Sequence, residues 1–226
     1  MTGHEHRDMV FRPPGRARGG VVVCHEIWGI TTPLLSAARA LAAAGFLVTV
    51  PDFYAEVDRP QGPASDEQAR HWRDGLEVAG IGEVLAEAIG WLRVEGAPRV
   101  GVLGCSMGGA VALWAAAALD IDAAVTFYGG GLLEPYWPGM PAGVVLAARL
   151  STRWRGCYGG RDPLTPADAL RRLRVALDGG SGLGTAVVFD DLDHGFALDP
   201  TDPRYAPDEA AATWRDALAF LERPPG

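Results

Sequence analysis

The sequence contains no lysine and no asparagine, so arginine supplies every side chain that is fully cationic at neutral pH. The 226 residues carry 20 basic and 28 acidic side chains, and the net charge of −8 gives no electrostatic footprint for nucleic acid. No apolar run approaches the roughly 18 residues of a membrane-spanning helix, and no basic helix is typical of a membrane surface. We therefore expect neither a nucleic-acid partner nor a membrane partner.

Cysteine is scarce as well. The three cysteines, Cys24, Cys105 and Cys157, have unrelated spacings, which favours small buried apolar side chains over a disulfide framework or a zinc site. His4 and His6 are interpreted as part of a frayed terminus, not as a metal-binding tail. The polar N-terminal stretch lacks the apolar core of a signal peptide, so a cytoplasmic location is expected. The sequence predicts no metal.

What the chain does contain is an alternation of short apolar runs and longer helical patterns. This alternation predicts a mainly parallel sheet with helices on both faces. The predicted strands are 20–25, 47–50, 99–103, 123–128, 154–158 and 186–189. The predicted helices are 32–44, 107–119, 166–177 and 207–221. A further helical region follows a polar loop and ends near residue 94. Without a repeat or a domain linker, residues 1–226 are expected to form a single α/β domain. The connection between the fourth and fifth strands is too short for a large lid.

The segment from Gly104 to Gly108 fits the pattern G-x-S-x-G and lies between a predicted strand and a predicted helix. In this context a serine occupies a strained turn that projects its hydroxyl above the sheet, and the two glycines avoid collisions with the crossing backbone. A phosphate-binding turn is the alternative, but there is no G-x-G-x-x-G pattern and no P-loop lysine. Ser106 is the only one of five serines flanked in this way, and we interpret it as a nucleophile.

Two further residues complete a predicted catalytic triad. Asp162 follows a predicted strand within the segment GGRDP, and His194 follows the last predicted strand. Taken alone, Asp162 could serve only turn chemistry and His194 could be structural. The order serine, acid, histidine, with each residue directly after a strand, is typical of a hydrolytic triad.

The loop after the first long strand is expected to contribute to an oxyanion hole. His25 and Glu26 lie at the end of that strand, and the Ile27 N–H is a candidate donor beside the Met107 N–H. Because the triad already contains a base, His25 is expected to be structural.

Seven segments then occur in a specific order, namely VVVCHEIWGI, VPDFY, GIGEVLAEAIGWLR, GVLGCSMGGAVAL, FYGGG, CYGGRDPLTP and DHGF. In this order they resemble the dienelactone hydrolase (carboxymethylenebutenolidase) family of α/β-hydrolases, from about residue 8 to residue 222. The resemblance implies hydrolysis of lactones or activated esters without metal or cofactor. It places Ser106, Asp162 and His194 on the family's triad and Glu26 on its additional active-site glutamate.

Two positions depart from what this resemblance implies. Well-known members of the family have a cysteine at the position of Ser106, and a nearby carboxylate can take the proton of a thiol. A serine hydroxyl is far less acidic and needs His194 as general base, which leaves Glu26 a positioning, electrostatic or purely structural role. The family also has an arginine, paired with the glutamate, where this chain has Leu198.

The missing arginine bears on the substrate. The family's other carboxylate-binding arginine aligns poorly here, with Arg70 or Arg73 as candidates. Without a cation a substrate carboxylate loses charge-assisted hydrogen bonds of about 1.5–3 kcal/mol each, so a neutral, more apolar ester or lactone is expected instead of dienelactone. Four aromatic residues are candidates for the pocket wall, with a core position as the alternative for each: Trp28, Tyr54, Trp137 and Phe196.

The sequence thus predicts a serine hydrolase that acts on a small ester or lactone through an acyl-enzyme intermediate. Two alternatives stay open, a non-catalytic ligand-binding module with the same fold and an acyl transferase that uses the same site. The oligomeric state and the physiological substrate are not predicted.

Overall fold

The computed structural model describes residues 9–55, 57 and 64–223, so His4 and His6 lie outside the described residues. Within these ranges a seven-stranded sheet has the order β1-β3-β2-β4-β5-β6-β7. Strand β1 pairs antiparallel with β3, and all other pairs are parallel. The strands are β1 Met9–Phe11, β2 Gly19–Cys24, β3 Phe46–Val50, β4 Val100–Cys105, β5 Ala123–Phe127, β6 Arg153–Gly159 and β7 Gly184–Phe189.

Seven helices connect or follow these strands in the described part of the chain. They are α1 Thr32–Ala43, α2 Asp66–Asp74, α3 Val78–Val94, α4 Met107–Ala118, α5 Gly143–Ala147, α6 Ala167–Asp178 and α7 Pro207–Glu222. The predicted α/β fold with a mainly parallel sheet is confirmed. Strand β1 and helix α5 were not predicted, because three and five residues are too short to show a hydrophobic period.

Two apolar cores lie on the two faces of the sheet. Side chains along each strand alternate between them, so that Val21 and Val23 of β2 face one core while Val22 and Cys24 face the other. Helices α1 and α7 cover the first core, and α2 to α6 cover the second. Both cores are built mainly from valine, leucine and alanine on the strands and helices. The predicted covering of both faces is therefore present.

The strand order reverses between β2 and β4. From β2 the chain proceeds to β3 on one side, and after α3 it returns to place β4 on the other side. Open parallel sheets bind ligands at the carboxyl ends of the strands where the order reverses. The loop that contains Glu26 follows β2 here, and Ser106 follows β4. The topology therefore brings both segments to one crevice.

Candidate active site

Ser106 lies in a tight turn between β4 and α4. Its backbone has φ 54° and ψ −116°, a left-handed conformation that side chains other than glycine rarely adopt. A Cβ on Gly104 would lie 1.9 Å from the Gly108 carbonyl oxygen, and a Cβ on Gly108 would lie 2.3 Å from the Cys24 carbonyl oxygen. The turn therefore requires both glycines, as the sequence pattern indicated.

The side chains of Ser106, His194 and Asp162 form a hydrogen-bonded row. The His194 Nε2 atom lies 2.9 Å from the Ser106 Oγ, and the His194 Nδ1 atom lies 2.7 Å from the Asp162 Oδ2. Asp162 is 1% exposed, Ser106 is 6% exposed, and the His194 side chain is 15% exposed. The Asp162 carboxylate faces Nδ1, so the Nε2 atom is left as the acceptor for the serine proton. Such an arrangement can let a histidine take the proton of a serine while a carboxylate orients the imidazole.

Close packing of two loops brings Asp162 to His194. A Cβ on Gly159 would lie 2.3 Å from the Leu192 carbonyl oxygen, and the Arg161 N–H donates to that oxygen at 2.9 Å. Asp162 itself serves two purposes, because its Oδ1 accepts the Leu164 N–H at 2.8 Å while Oδ2 faces the imidazole. The turn contact considered for Asp162 is therefore present together with a contact to the imidazole.

The His194 ring packs against the aromatic ring of Tyr128. The centroid of the Tyr128 ring lies 5.0 Å from that of the imidazole and 5.6 Å from that of the Phe196 ring. Both contacts are edge to face. Tyr128 has φ 40°, and its N–H donates to the Cys157 carbonyl oxygen at 2.7 Å. This fixed ring restricts the imidazole from one side. The sequence offered only the segment FYGGG as a signal for Tyr128.

The Ile27 and Met107 N–H groups are the candidate donors of an oxyanion hole. Ile27 lies in the loop after β2, and Met107 is the first residue of α4, so its N–H points out of the helix at the positive end of the dipole. Neither N–H donates a hydrogen bond within the described part of the chain. Both N–H groups therefore remain candidates for the oxyanion donors that the sequence predicts.

The buried Tyr54 side chain contacts both the loop that contains Ile27 and the start of α4. Its hydroxyl donates to the Ile27 carbonyl oxygen at 3.1 Å and lies 3.3 Å from the Met107 sulfur. The side chain is 0% exposed. Sequence reasoning considered Tyr54 for the pocket wall, whereas the structure gives it a contact with both candidate oxyanion donors.

His25 contacts the backbone of the loop after β2 at the start of that loop. The Nδ1 atom lies 2.7 Å from the Glu26 carbonyl oxygen, and Nε2 accepts the Phe53 N–H at 3.1 Å. These two contacts assign the proton to Nδ1, because Nε2 acts as an acceptor. His25 is fully buried, and both of its ring nitrogens contact backbone groups.

Glu26 is partly buried in the loop after β2. Removal of its carboxyl from water raises its pKa to about 7, and this effect outweighs the nearby positive groups His194 and Arg204, which lower the pKa. The carboxyls of Asp199 and Asp202 raise it further. Glu26 therefore changes its charge near neutral pH, next to the proposed base.

The cations near the site differ from those that the sequence suggested. Leu198 is buried in the core under α1 and α7. Arg70 is exposed, and the Arg73 guanidinium stacks on the Tyr136 ring at 4.8 Å and pairs with Asp74. Sequence reasoning missed Arg204, whose guanidinium lies near Gly195, next to His194. The segment offered no signal for Arg204 beyond its place shortly after the histidine.

Of the four aromatic candidates for the pocket wall, three lie in the interior. Tyr54, Trp137 and Phe196 are each exposed by 1% or less, which supports the alternative that they are core residues. Trp137 donates its indole N–H to the Arg73 carbonyl oxygen at 2.7 Å. Trp28 is different, because it is 39% exposed in the loop that contains Ile27. It alone of the four presents a surface to a ligand.

The remaining features concern groups other than the triad. All three cysteines are buried and unbridged, and burial raises the pKa of the Cys157 thiol to about 12. No cluster of potential metal ligands occurs among residues 9–55, 57 and 64–223. In the same ranges no helix has the length and apolar character needed to cross a membrane.

Comparison with known proteins identifies a family and several relatives of this chain. The model of the "Dienelactone hydrolase family" matches residues 7–224. A carboxymethylenebutenolidase of Rhodococcus opacus is 27% identical over 213 residues, which cover 90% of this chain and 80% of that protein. A putative carboxymethylenebutenolidase of Escherichia coli K12 is 28% identical over 216 residues, which cover 90% and 76%.

Solved structures show the same fold. The crystal structure of a putative dienelactone hydrolase from Klebsiella pneumoniae superposes with a TM-score of 0.84 at 24% identity and covers 94% of this chain and 90% of that one. The chain belongs to the dienelactone hydrolase family and is a hydrolase of the lactone or ester type.

Proposed function

We propose that the protein is a serine hydrolase that cleaves a small carboxylic ester or lactone through an acyl-enzyme intermediate. The single observation that carries the proposal is the continuous row of hydrogen bonds from Ser106 through His194 to Asp162. A serine hydroxyl is a weak nucleophile at neutral pH and needs such a base. The buried Asp162 carboxylate stabilises the imidazolium that forms when His194 takes the proton.

In the first half of the reaction the Ser106 Oγ attacks the carbonyl carbon while its proton passes to the His194 Nε2. The carbonyl oxygen becomes negatively charged and accepts hydrogen bonds from the Ile27 and Met107 N–H groups. When the tetrahedral intermediate collapses, the bond to the leaving oxygen breaks and His194 returns the proton to that oxygen. In a lactone the leaving hydroxyl remains attached to the acyl group.

In the second half a water molecule attacks the acyl-enzyme. His194 accepts the proton of the water, the bond between the acyl carbon and the Ser106 Oγ breaks, and the serine recovers its proton from His194. The products are a carboxylic acid and an alcohol, or a hydroxy acid from a lactone. All proton transfers use the Nε2 atom, so the tautomer that Asp162 holds is required throughout.

A panel of small esters and lactones tests this proposal with wild type, Ser106→Ala and Ser106→Cys. Ser106→Ala is expected to lose at least about 1000-fold in kcat, because no nucleophile remains while the oxyanion donors stay in place. Undiminished hydrolysis in Ser106→Ala would contradict the proposal. Tight binding without turnover in wild type would indicate a ligand-binding module, and transfer of the acyl group to added alcohols or thiols would indicate an acyl transferase.

A further inference from the structure

Two buried side chains connect the loop after β2 with the loop after β3. His25 is the first residue after β2, and Tyr54 is the fourth residue after β3. Both side chains are 0% exposed, and the centroids of their rings lie 4.8 Å apart. Because β2 and β3 pair in parallel, the two loops leave the same edge of the sheet. The loop that contains Ile27 is therefore attached from inside the protein.

His25 holds the peptide group between Glu26 and Ile27. Its Nδ1 atom donates to the Glu26 carbonyl oxygen at 2.7 Å, and the Gly29 N–H donates to the same oxygen at 3.0 Å. This carbonyl and the Ile27 N–H belong to one planar group and point in opposite directions. Hydrogen bonds to the carbonyl therefore fix the direction of the Ile27 N–H, and they also polarise it toward donation.

Tyr54 holds the next peptide group along the chain. Its hydroxyl donates to the Ile27 carbonyl oxygen at 3.1 Å, and this oxygen belongs to the peptide group between Ile27 and Trp28. With the peptide groups on both sides of Ile27 held by buried side chains, its two backbone dihedral angles are fixed. The same hydroxyl lies 3.3 Å from the Met107 sulfur, a side chain of the residue that carries the second candidate donor.

The loop after β3 also sets the direction of the bond that His25 makes. The Phe53 N–H donates to the His25 Nε2 at 3.1 Å, so the single proton of the neutral imidazole is on Nδ1 and faces the carbonyl oxygen of the β2 loop. The Asp52 Oδ1 accepts the Tyr54 N–H at 3.0 Å and so holds the backbone that presents the Tyr54 ring. Residues 52–54 thus support both contacts.

We infer that His25 and Tyr54 are positioning residues that aim the Ile27 N–H at the carbonyl oxygen of the substrate before the reaction begins. This inference rests on the proposed function, in which that oxygen becomes negatively charged beside Ser106. A donor that is already in place costs no reorganisation when the charge develops. Because both side chains are buried, each acts through the backbone of the loop and not by contact with the substrate.

Tyr54→Phe removes one hydroxyl and keeps the ring. It is expected to lower kcat by at least about tenfold, toward the roughly 100- to 1000-fold that the loss of an oxyanion donor costs. KM should change by less than about threefold, because the donor acts mainly in the transition state. Tyr158→Phe is the matched control, since Tyr158 is also fully buried and its hydroxyl has no hydrogen-bond partner within the described part of the chain. This control should leave kcat and KM unchanged.

Two changes at His25 separate its two contacts. His25→Asn keeps an N–H at the place of Nδ1, and with it a donor to the Glu26 carbonyl oxygen, but removes the acceptor of the Phe53 N–H. His25→Leu removes both contacts. His25→Asn is therefore expected to unfold at a lower temperature than wild type and yet to retain kcat within about threefold, whereas His25→Leu should lose at least about tenfold in kcat.

A trifluoromethyl ketone reports on the oxyanion donors separately from turnover. The Ser106 Oγ forms a bond to its carbonyl carbon, the serine proton passes to His194, and the former carbonyl oxygen becomes an anion that resembles the transition state. The inhibition constant is measured for a ketone that shares the acyl group of the best ester. It should rise in Tyr54→Phe and His25→Leu by about the factor by which kcat falls, and it should stay unchanged in Tyr158→Phe.

The outcomes separate the inference from the proposed function when all rates are measured well below the melting temperature of each variant. Wild-type kcat and wild-type affinity for the ketone in Tyr54→Phe would overturn the inference while hydrolysis by Ser106 stands, and this variant decides alone if His25→Leu does not fold. A fall in kcat without weaker binding of the ketone would show a merely structural role and overturn it as well. Turnover that persists in Ser106→Ala overturns the proposed function, and the inference with it.

Discussion

At the scale of single residues, Ser106 illustrates how packing maintains an unfavourable backbone conformation. A non-glycine residue at φ 54° and ψ −116° costs on the order of 1–3 kcal/mol, which the surrounding structure must offset. The Ser106 N–H donates to the Phe127 carbonyl oxygen at 3.0 Å, and its own carbonyl oxygen accepts the Gly109 N–H at 2.9 Å. These bonds hold the hydroxyl toward His194, so the strain directly serves the geometry of the site.

Glu26 is expected to make the stability of the protein depend on pH. Its pKa in the folded state is about 7, above the value of 4.5 for an unperturbed carboxyl, so the folded protein binds more protons than the unfolded chain between these two values. The contribution of Glu26 to stability therefore falls as pH rises from about 4.5 to about 7, by about 3 kcal/mol. Glu26→Gln, which cannot ionise, should not show this loss.

Thermal unfolding of wild type and Glu26→Gln across this pH range measures the effect. The melting temperature of Glu26→Gln is expected to exceed that of wild type above pH 7 and to approach it near pH 4.5, the two values between which the carboxyl titrates. A difference that is constant with pH would show that the ionisation of Glu26 is not coupled to folding. The exposed carboxyl in Glu134→Gln is the matched control and should give no pH-dependent difference.

Sequence reasoning found the residues whose position follows from the chain alone. Ser106, Asp162 and His194 each lie shortly after the end of a strand, and parallel strands bring their carboxyl ends to one edge of the sheet. Tyr54 and Arg204 could not be assigned in this way. Their roles depend on which loops pack against each other in three dimensions, and neither lies in a spacing that indicates chemistry.

At the scale of elements, the junction between β4 and α4 is the most tightly constrained part of the fold. Gly108 lets the first turn of α4 pass the end of β2, where a Cβ would lie 2.3 Å from the Cys24 carbonyl oxygen. Gly109 lets the same turn approach β5, where a Cβ would lie 2.8 Å from the Gly129 Cα. The helix that presents the Met107 N–H is thus seated against backbone on two sides.

Gly108→Ala is expected to destabilise the protein by about 3 kcal/mol or more, because backbone must move to admit the methyl group. A shift of about 1 Å at Ser106 should also lower kcat/KM by about 100-fold. Chemical denaturation and ester kinetics measure the two effects. Gly90→Ala is the matched control, since Gly90 lies within α3 with nothing near its Cβ position and should gain up to about 1 kcal/mol. Full activity and stability in Gly108→Ala would contradict the packing described for the junction.

A buried chain of hydrogen bonds connects β6 to α4 through β5. The Trp154 indole N–H donates to the Thr126 Oγ1 at 2.9 Å, and the Thr126 hydroxyl donates to the Gly109 carbonyl oxygen at 2.9 Å. All of these atoms are buried. The chain ties the helix behind Ser106 to the centre of the sheet.

Thr126→Val is expected to cost about 1–3 kcal/mol, because the Trp154 indole N–H is left buried without an acceptor. In the double variant Thr126→Val and Trp154→Phe this unsatisfied donor is gone, so the two changes together should cost less than their sum. Equilibrium unfolding in urea of both single variants and the double variant gives the coupling. Additive costs would show that the bond contributes nothing to stability.

At the scale of the whole molecule, the alternation of strand and helix patterns was sufficient to predict the parallel sheet and its covering on both faces. The short elements were not predicted, because β1 adds only three residues at the edge of the sheet and α5 has five. The break between α2 and α3 was also not resolved from sequence, since both helices are amphipathic and Gly75 ends the first. The periodicity of hydrophobic residues in a sequence predicts long helices and strands. It does not predict short elements whose formation depends on packing in the folded protein.

We propose that the chain folds as one unit, because the two faces of a single sheet contribute side chains to both cores. Any opening between neighbouring strands would expose apolar side chains on both faces. Urea unfolding is therefore expected to give coincident transitions by far-ultraviolet circular dichroism, which follows the helices, and by tryptophan fluorescence. Trp154 lies in one core and Trp214 packs against the other, so the fluorescence samples both faces. Two separated transitions would indicate two independently folding parts.

The central claim is that Ser106 becomes covalently acylated with the help of His194. Treatment with a fluorophosphonate, followed by proteolysis and mass spectrometry of the peptides, tests this most directly. The account predicts a single adduct on the peptide that contains Ser106, a loss of ester hydrolysis in proportion to labelling, and labelling at least about 100-fold slower in His194→Ala, which lacks the general base. An adduct on another residue, or full hydrolysis by fully labelled protein, would contradict the account.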